Sequence, residues 1–525
     1  MTTGQLEPPL EPDHEPGDLG GTVLRGAGLA STGYVASQVL TLAFFAALAR
    51  LATPADFGEL ASATLVVNVG LLFTESGMLA ALIHRKDRIV EAASTATVST
   101  TIGGVLLTIG ALAVSPLIGL IFHSSHIGEI AAAASGLMLL RSLTIVPEAL
   151  LQRKFSFLRR VVIEPGGIAI FGTVAVILTA TGMGVWGLLL GYYASAVADV
   201  LLSWGLLRWR PRLRQASFGM WRELVAYGRW GIASSTLESV EQQAPVVLLG
   251  RFSGAAALGQ FRYGARMESS AGAVVVHSAA YVLFPAFARI THERDRFKAA
   301  ALRSLRGMAM LGMPMGMILV PLGVPAAELA FGHEWRSAGF AAMILSGMTT
   351  TGIVISFASE ILKADGRPDL LTRVRGINLG VALAAMIALT WAGLYGVCAG
   401  LTFGTFVGAV AALLYVARQL ELHPSALIAE MAPTAAAATA MAAILTALEF
   451  GLVQAGSRGT VLGIVLLLAE AALGFLLYVL FLRLFSRAHL DEARDLARRA
   501  VPARLTRRFR RGGDDDPAEA ERSPR

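Results

Sequence analysis

Three sets of ionisable residues lie inside stretches otherwise too apolar to hold them. Glu238, Glu241 and Gln242 fall on one face of a segment at helical spacing, one turn beyond Ser234. Two carboxylates this close in a low-dielectric surround can carry a proton or sodium ion between them, so Glu238 and Glu241 are candidate coupling groups. Arg262, Arg266, Ser269, Ala273 and His277 form a second stripe ahead of Pro285. Guanidinium forks bind phosphate oxygens bidentately, which makes Arg266, Arg262 and the deeper His277 candidates for holding an anionic substrate. Arg262 and Arg266 also stand within two turns of a segment end, where they could instead snorkel to the surface. Arg141 lies too far from either end of its segment to do so and needs a carboxylate or a ligand. Glu75 is the expected partner and the third coupling candidate.

The elements that must position these groups are membrane spans. The 525 residues are 55% hydrophobic and 15% charged, with a mean hydropathy of +0.61. That is far more apolar than a soluble surface carries. Stretches such as Thr95 to Phe122 and Ile168 to Leu207 hold almost no charge, and dense arginine clusters separate pairs of them. At about 20 apolar residues per span, the pattern predicts about fourteen helices: 22–49, 57–83, 93–122, 127–151, 160–181, 184–207, 224–250, 257–288, 302–325, 337–362, 370–392, 395–417, 426–453 and 459–483.

Connections after even-numbered helices hold Arg85 to Arg88, Arg153 to Arg160, Arg208 to Arg214, Arg289 to Lys298, Lys363 to Arg375, and Arg418. Those after odd-numbered helices offer only Arg50, Arg251, Arg336 and Arg458. By the positive-inside rule both termini are cytoplasmic and the chain is a multi-pass protein of the inner, cytoplasmic membrane. Asp199, Glu148, Glu164 and Glu360 then read as solvated helix-end residues. The net charge of +7 and pI near 9.8 are spent on this punctuation, so nucleic acid is not an expected partner.

Two echoes divide the chain. Arg50-Leu-Ala-Thr-Pro-Ala-Asp-Phe-Gly58 is matched by Arg251-Phe-Ser-Gly-Ala-Ala-Ala-Leu-Gly259, and Gly184-Val-Trp-Gly-Leu-Leu-Leu-Gly191 by Gly393-Leu-Tyr-Gly-Val-Cys-Ala-Gly400. Offsets of about 201 and 209 residues fit one duplication. Six helices per repeat is an even number, so the halves share an orientation and are related by a pseudo-two-fold axis along the membrane normal. The expected organisation is a disordered cytoplasmic tail (1–21), a six-helix bundle (22–207) and a basic linker (208–223). A second six-helix bundle (224–418), two further spans (426–483) and a basic-then-acidic cytoplasmic tail (486–525) complete it.

No catalytic chemistry competes. There is no Walker-type loop, no His-Glu-x-x-His or paired-cysteine metal site and no Gly-x-Ser-x-Gly elbow, so neither enzyme activity, a metal nor a cofactor is expected.

The stretches Ala49 to Gly58, Glu75-Ser-Gly77 with Ala81-Leu-Ile-His-Arg85, Gln152 to Phe157, Leu258 to Arg266 and Leu283 to Arg289 resemble the polysaccharide-transporter family. This is the Wzx-type oligosaccharide flippase branch of the multidrug/oligosaccharidyl-lipid/polysaccharide exporter superfamily. The likeness covers most of residues 22 to 420. It implies twelve to fourteen helices in two six-helix bundles and the flipping of polyprenyl-diphosphate-linked oligosaccharides for cell-surface polysaccharide biosynthesis. The expected partners are then the lipid-linked oligosaccharide, membrane lipids, a proton or sodium coupling ion, and glycan polymerase or assembly proteins. A cation-coupled multidrug exporter of the same fold, with an acidic cavity built on Glu238 and Glu241, is a second reading. A membrane scaffold for a glycan-assembly complex is a third.

Overall fold

The computed structural model describes residues 36–85, 87–153, 162–207, 209–454, 456 and 459–486, and every regular element among them is helical. The first half holds α1 (Ala36–Ala49), α2 (Pro54–Ala63), α3 (Leu65–His84), α4 (Ile89–Ile121), α5 (Ser125–Ala134), α6 (Gly136–Arg153), α7 (Glu164–Leu178) and α8 (Val185–Leu207). The second holds α9 (Phe218–Phe252), α10 (Gly254–Ile290), α11 (Arg294–Met317), α12 (Leu319–Phe331), α13 (Arg336–Ala364), α14 (Pro368–Ala388) and α15 (Gly393–Gln419). Two more, α16 (Pro424–Leu448) and α17 (Thr460–Phe485), follow. The expected tails, apart from Ser486, and the side chains of Glu75, Ser234 and His277 lie outside the described residues.

Nine of the described helical spans are long and apolar enough to cross a bilayer, or eleven if two bent pairs each count as one; the chain is a multi-pass membrane protein. The bent pairs are α1 with α2, at 118°, and α11 with α12, at 48°. The second pair corrects the single helix expected over 302–325. Pro314 removes one ladder hydrogen bond just ahead of the bend at Ile318. At 35 and 37 residues α9 and α10 are each longer than a bilayer is thick.

Local chemistry sets the helix starts. Thr53 caps α2 in a capping box with Asp56, and Pro54 supplies the fixed φ of a first helical turn. Ser124 and Ser217 cap α5 and α9 through their hydroxyls.

The two sequence echoes reappear as geometry. Gly184 and Gly393, which open α8 and α15, adopt nearly the same Gly-only backbone, φ 50°, ψ −126° and φ 59°, ψ −134°. The Arg50 and Arg251 motifs pack against each other. A Cβ on Gly58 would lie 1.7 Å from the carbonyl oxygen of Ala255, and one on Gly259 would lie 1.8 Å from that of Pro54. The contacts are reciprocal, with Pro54 and Gly58 matching Ala255 and Gly259 at one offset. Self-complementary contact of this kind is what a two-fold relation between repeats produces. Arginines cross the same seam: Arg50 donates to the carbonyls of Leu329 and Ala330, at 2.7 and 3.3 Å, and Arg251 meets His123 Nδ1 at 3.1 Å.

Beneath the seam lies an aromatic block. Tyr263 and Trp335 are wholly buried, with ring centroids 3.8 Å apart, among Phe45, Phe57 and Phe331. Their polar handles are spent on α1: Trp335 Nε1 donates to Ala49 O at 2.8 Å and Tyr263 Oη to Phe45 O at 3.1 Å. This block closes one end of the bundle, the end that holds the Arg50 and Arg251 turns.

Candidate functional site

Below the aromatic block, a cavity of about 980 Å³ opens between the halves. Phe45, Phe57, Thr64, Phe171 and Tyr192 line it from the first half, and α9, α10, α13, α14 and α15 from the second. Its walls are largely apolar, with charges confined to three helices.

On α9, Glu238 and Glu241 face the cavity together, as their spacing requires, but each is engaged by α14 rather than by the other. Arg375 Nη1 donates to Glu238 Oε1, and Asn378 Nδ2 donates to Glu241 Oε1 at 2.9 Å. Each helix offers its groups three residues apart, so two parallel helices are zipped by successive pairs. The structure corrects the expected place of Arg375. It is no connecting-loop cation but lies two turns inside α14, facing the cavity.

On α10, Arg262 and Arg266 stand one turn apart and both line the cavity, so the snorkelling alternative does not describe them. Arg262 is exposed to the cavity. Arg266 is half-buried; its Nη2 donates to Gln38 Oε1 of α1 at 2.8 Å, and its guanidinium lies 5.7 Å from the Phe45 ring centre. Glu268 was not singled out by spacing, because it falls off the arginine stripe. It too lines the cavity and accepts a hydrogen bond from Thr349 Oγ1 at 2.6 Å. A carboxylate two residues from an arginine inside an apolar stretch was the available signal.

Arg141 stands elsewhere. It is not among the cavity-lining residues, and its Nη1 lies 3.6 Å from Asp199 Oδ2, joining α6 to α8. Asp199 is therefore a buried ion-pair member and not a solvated helix end, and Gly167 makes room for it: a Cβ there would sit 2.6 Å from Oδ1. Removing Arg141 takes a charge partner from a largely buried carboxylate. Arg141→Ala is accordingly expected to reduce the amount of folded protein in the membrane, and Arg141→Asp with Asp199→Arg to restore it, read by fluorescence-detected size-exclusion chromatography.

The cavity thus holds three arginines (Arg262, Arg266, Arg375) against three glutamates (Glu238, Glu241, Glu268). Each glutamate already has a donor. Arg262, exposed to the cavity, and Arg266, one turn further on, set two guanidinium groups on its wall, an arrangement that suits a phosphate-bearing anion.

The model of a family described as polysaccharide biosynthesis protein matches residues 47–339. The succinoglycan biosynthesis transport protein ExoT of Rhizobium meliloti is 26% identical over 333 residues, which are 60% of this chain and 64% of that protein. The teichuronic acid biosynthesis protein TuaB of Bacillus subtilis is 22% identical over 73% of this chain and 80% of its own. Among solved structures, the lipid II flippase MurJ in an inward closed conformation superposes with a TM-score of 0.72. It is 13% identical and covers 87% of this chain and 99% of that one. At this identity the superposition establishes a shared fold.

Proposed function

The chain belongs to the polysaccharide biosynthesis protein family, and from that premise we propose that it is a flippase. It carries a polyprenyl-diphosphate-linked oligosaccharide across the cytoplasmic membrane for cell-surface polysaccharide biosynthesis. One observation carries the reading: Arg262 and Arg266 stand a helical turn apart on the wall of the cavity between the halves. Two guanidinium forks at that spacing suit adjacent phosphates.

The cavity's size decides how the substrate sits. About 980 Å³ accommodates a diphosphate with its first sugars, near the upper end of ligand pockets, but not a long polyprenyl chain as well. The tail stays in the bilayer while the headgroup crosses. In this reading fourteen helices form two six-helix bundles and a C-terminal pair, with both termini in the cytoplasm. The arginine-rich connections mark the cytoplasmic end, and the shared backbone of Gly184 and Gly393 supports the repeat. The cavity of this conformation then opens inward and is sealed outward by the Gly58–Ala255 and Gly259–Pro54 contacts. Alternating access requires that seam to part and the α9–α14 zipper to rearrange. Protonation or sodium binding at Glu238 or Glu241 would loosen the zipper by releasing Arg375 and Asn378.

A multidrug exporter would rest its cationic drug on Glu238 and Glu241, and here Arg375 pairs with Glu238 and Asn378 donates to Glu241. A pure scaffold has no use for paired charges around a cavity. Depleting the protein in its host is expected to accumulate the lipid-linked intermediate in the cytoplasmic leaflet, scored by leaflet-selective labelling of extracted lipids. Depletion that removes surface polysaccharide with no such accumulation would sink the flippase reading.

A further inference from the structure

Where the two halves are joined, the chain sets unpaired cations beside uncovered aromatic rings. The linker between α8 and α9 is tied to α4 at two places: the backbone N–H of Arg212 donates to Ser94 Oγ at 3.2 Å, and that of Ser217 to Thr95 Oγ1 at 3.1 Å. Because Ser94 and Thr95 are neighbours, these bonds draw Arg212 and Ser217 together. The short 3-10 turn between them, Leu213–Gln215, stands out from α4 with Arg214 exposed. From the Ser217 cap onward α9 is two-faced. Met220 and Leu224 are 1% exposed and pack with Leu207 and Trp209. Phe218, Trp221, Arg222 and Val225 follow the i, i+3, i+4, i+7 spacing of another face, and all four are exposed, Phe218 at 76%. The Phe218 and Trp221 rings stack with centroids 5.1 Å apart.

The carboxylates packed nearby have other partners. Glu223 pairs with Arg85 at 2.7 Å, and Glu91 with Arg88 at 2.7 Å and with the Ser217 hydroxyl at 2.8 Å. Asp87 is exposed on the turn between α3 and α4, while Arg212, Arg214 and Arg222 make no ion pair among the described residues. The depth of the patch follows from its neighbours. The apolar spans Ile89–Ile121 and Val185–Leu207 both end at this level, so the patch lies where hydrocarbon gives way to water. Water alone satisfies the arginines but leaves the stacked rings uncovered, and acyl chains alone cover the rings but leave the charge. An anionic phospholipid meets both needs. Its phosphate accepts from guanidinium forks, and its glycerol and first methylenes cover aromatic rings at the interface.

We propose that Arg212 and Arg214 of the linker, with Phe218, Trp221 and Arg222 of α9, form a docking site for the headgroup of an anionic phospholipid at the junction of the two halves. None of these residues lines the central cavity, so the site stands or falls independently of what that cavity carries.

The test reconstitutes the full chain in vesicles of phosphatidylcholine and phosphatidylglycerol in equal amounts, with bromine on the acyl chains of one lipid or of the other. Bromine quenches tryptophan on contact, and the emission of Trp221 is the difference between the parent chain and Trp221→Phe. Brominated phosphatidylglycerol is expected to quench Trp221 at least about threefold more than brominated phosphatidylcholine. Arg212→Gln combined with Arg214→Gln and Arg222→Gln is expected to bring that ratio close to one. Should the triple variant not accumulate, the parent chain in high salt takes its place, since screening weakens headgroup selection and leaves apolar contact intact. Equal quenching of the parent by both lipids overturns the proposal and makes the patch ordinary lipid-facing surface. Absence of quenching by either overturns it too, and leaves the stripe to water or to a protein partner. A preference for phosphatidylglycerol that survives the substitutions, or high salt where they cannot be made, removes these arginines from the site.

Discussion

Arg262→Gln combined with Arg266→Gln is expected to reduce translocation by about 100-fold or more while leaving the protein folded in the membrane. Hydrogen bonds to charged groups contribute about 1.5–3 kcal/mol each, and a diphosphate held by two guanidinium forks loses at least two of them. The single variants separate substrate binding from architecture. Arg262 is exposed to the cavity, so Arg262→Gln acts on the substrate alone. Arg266 also joins α10 to Gln38 and Phe45 of α1, so Arg266→Gln is expected to cost some stability as well. Arg266→Lys keeps the charge without the fork, and recovers part of the activity if charge dominates and little if bidentate geometry does. The measurement is the lipid-linked intermediate accumulated per unit of folded protein. Normal flux through the double glutamine variant would remove these arginines from the mechanism.

How much of this was readable beforehand depends on how local each signal is. Helix ends were, because capping and hydropathy act within a turn: a helix expected over 184–207 is found at Val185–Leu207, and one expected over 395–417 at Gly393–Gln419. The shared roles of Gly184 and Gly393 were within reach too, since both are glycines for a backbone reason that needs no tertiary contact. Pairing across the bundle was not. Nothing near Arg141 in the chain points to Asp199, and Arg375 follows Lys363, Arg367 and Arg373 so closely that it reads as the last of a loop cluster. Its role appears only when α14 is laid beside α9. The arginine and glutamate stripes gave the cavity's wall, and the third dimension decided which of its charges remain available.

The second large effect concerns the seam. Gly58→Ala places a methyl group 1.7 Å from a backbone oxygen and 2.4 Å from its carbon, and Gly259→Ala does the same against Pro54 at 1.8 Å. Backbone cannot swing aside as a side chain would, so the amino-terminal turns of α2 and α10 must separate. Overpacking of this kind costs about 1–3 kcal/mol, and in a chain that alternates between two states the cost falls on the state in which the seam is closed. A penalty of about 2 kcal/mol on one state shifts the ratio of states by roughly 30-fold. Each variant is therefore expected to populate the conformation open at the Arg50 end, with transport reduced because the cycle cannot return readily. Combining the two should add little, since both act on one contact. A cysteine at Ser269, which lines the cavity, reports the change once the buried native Cys398 is replaced by serine. An impermeant maleimide applied from the Arg50 end is expected to label it at least tenfold faster in either glycine variant than in the parent. Gly380→Ala, on an exposed face with nothing within 4 Å of the new Cβ, serves as the control that should change neither labelling nor transport. Unaltered labelling in Gly58→Ala would mean that the seam yields without opening the cavity. The closed end would then depend on the aromatic block of Tyr263 and Trp335 rather than on the reciprocal glycines, because that block also spans from α1 to α10 and the Trp335 turn.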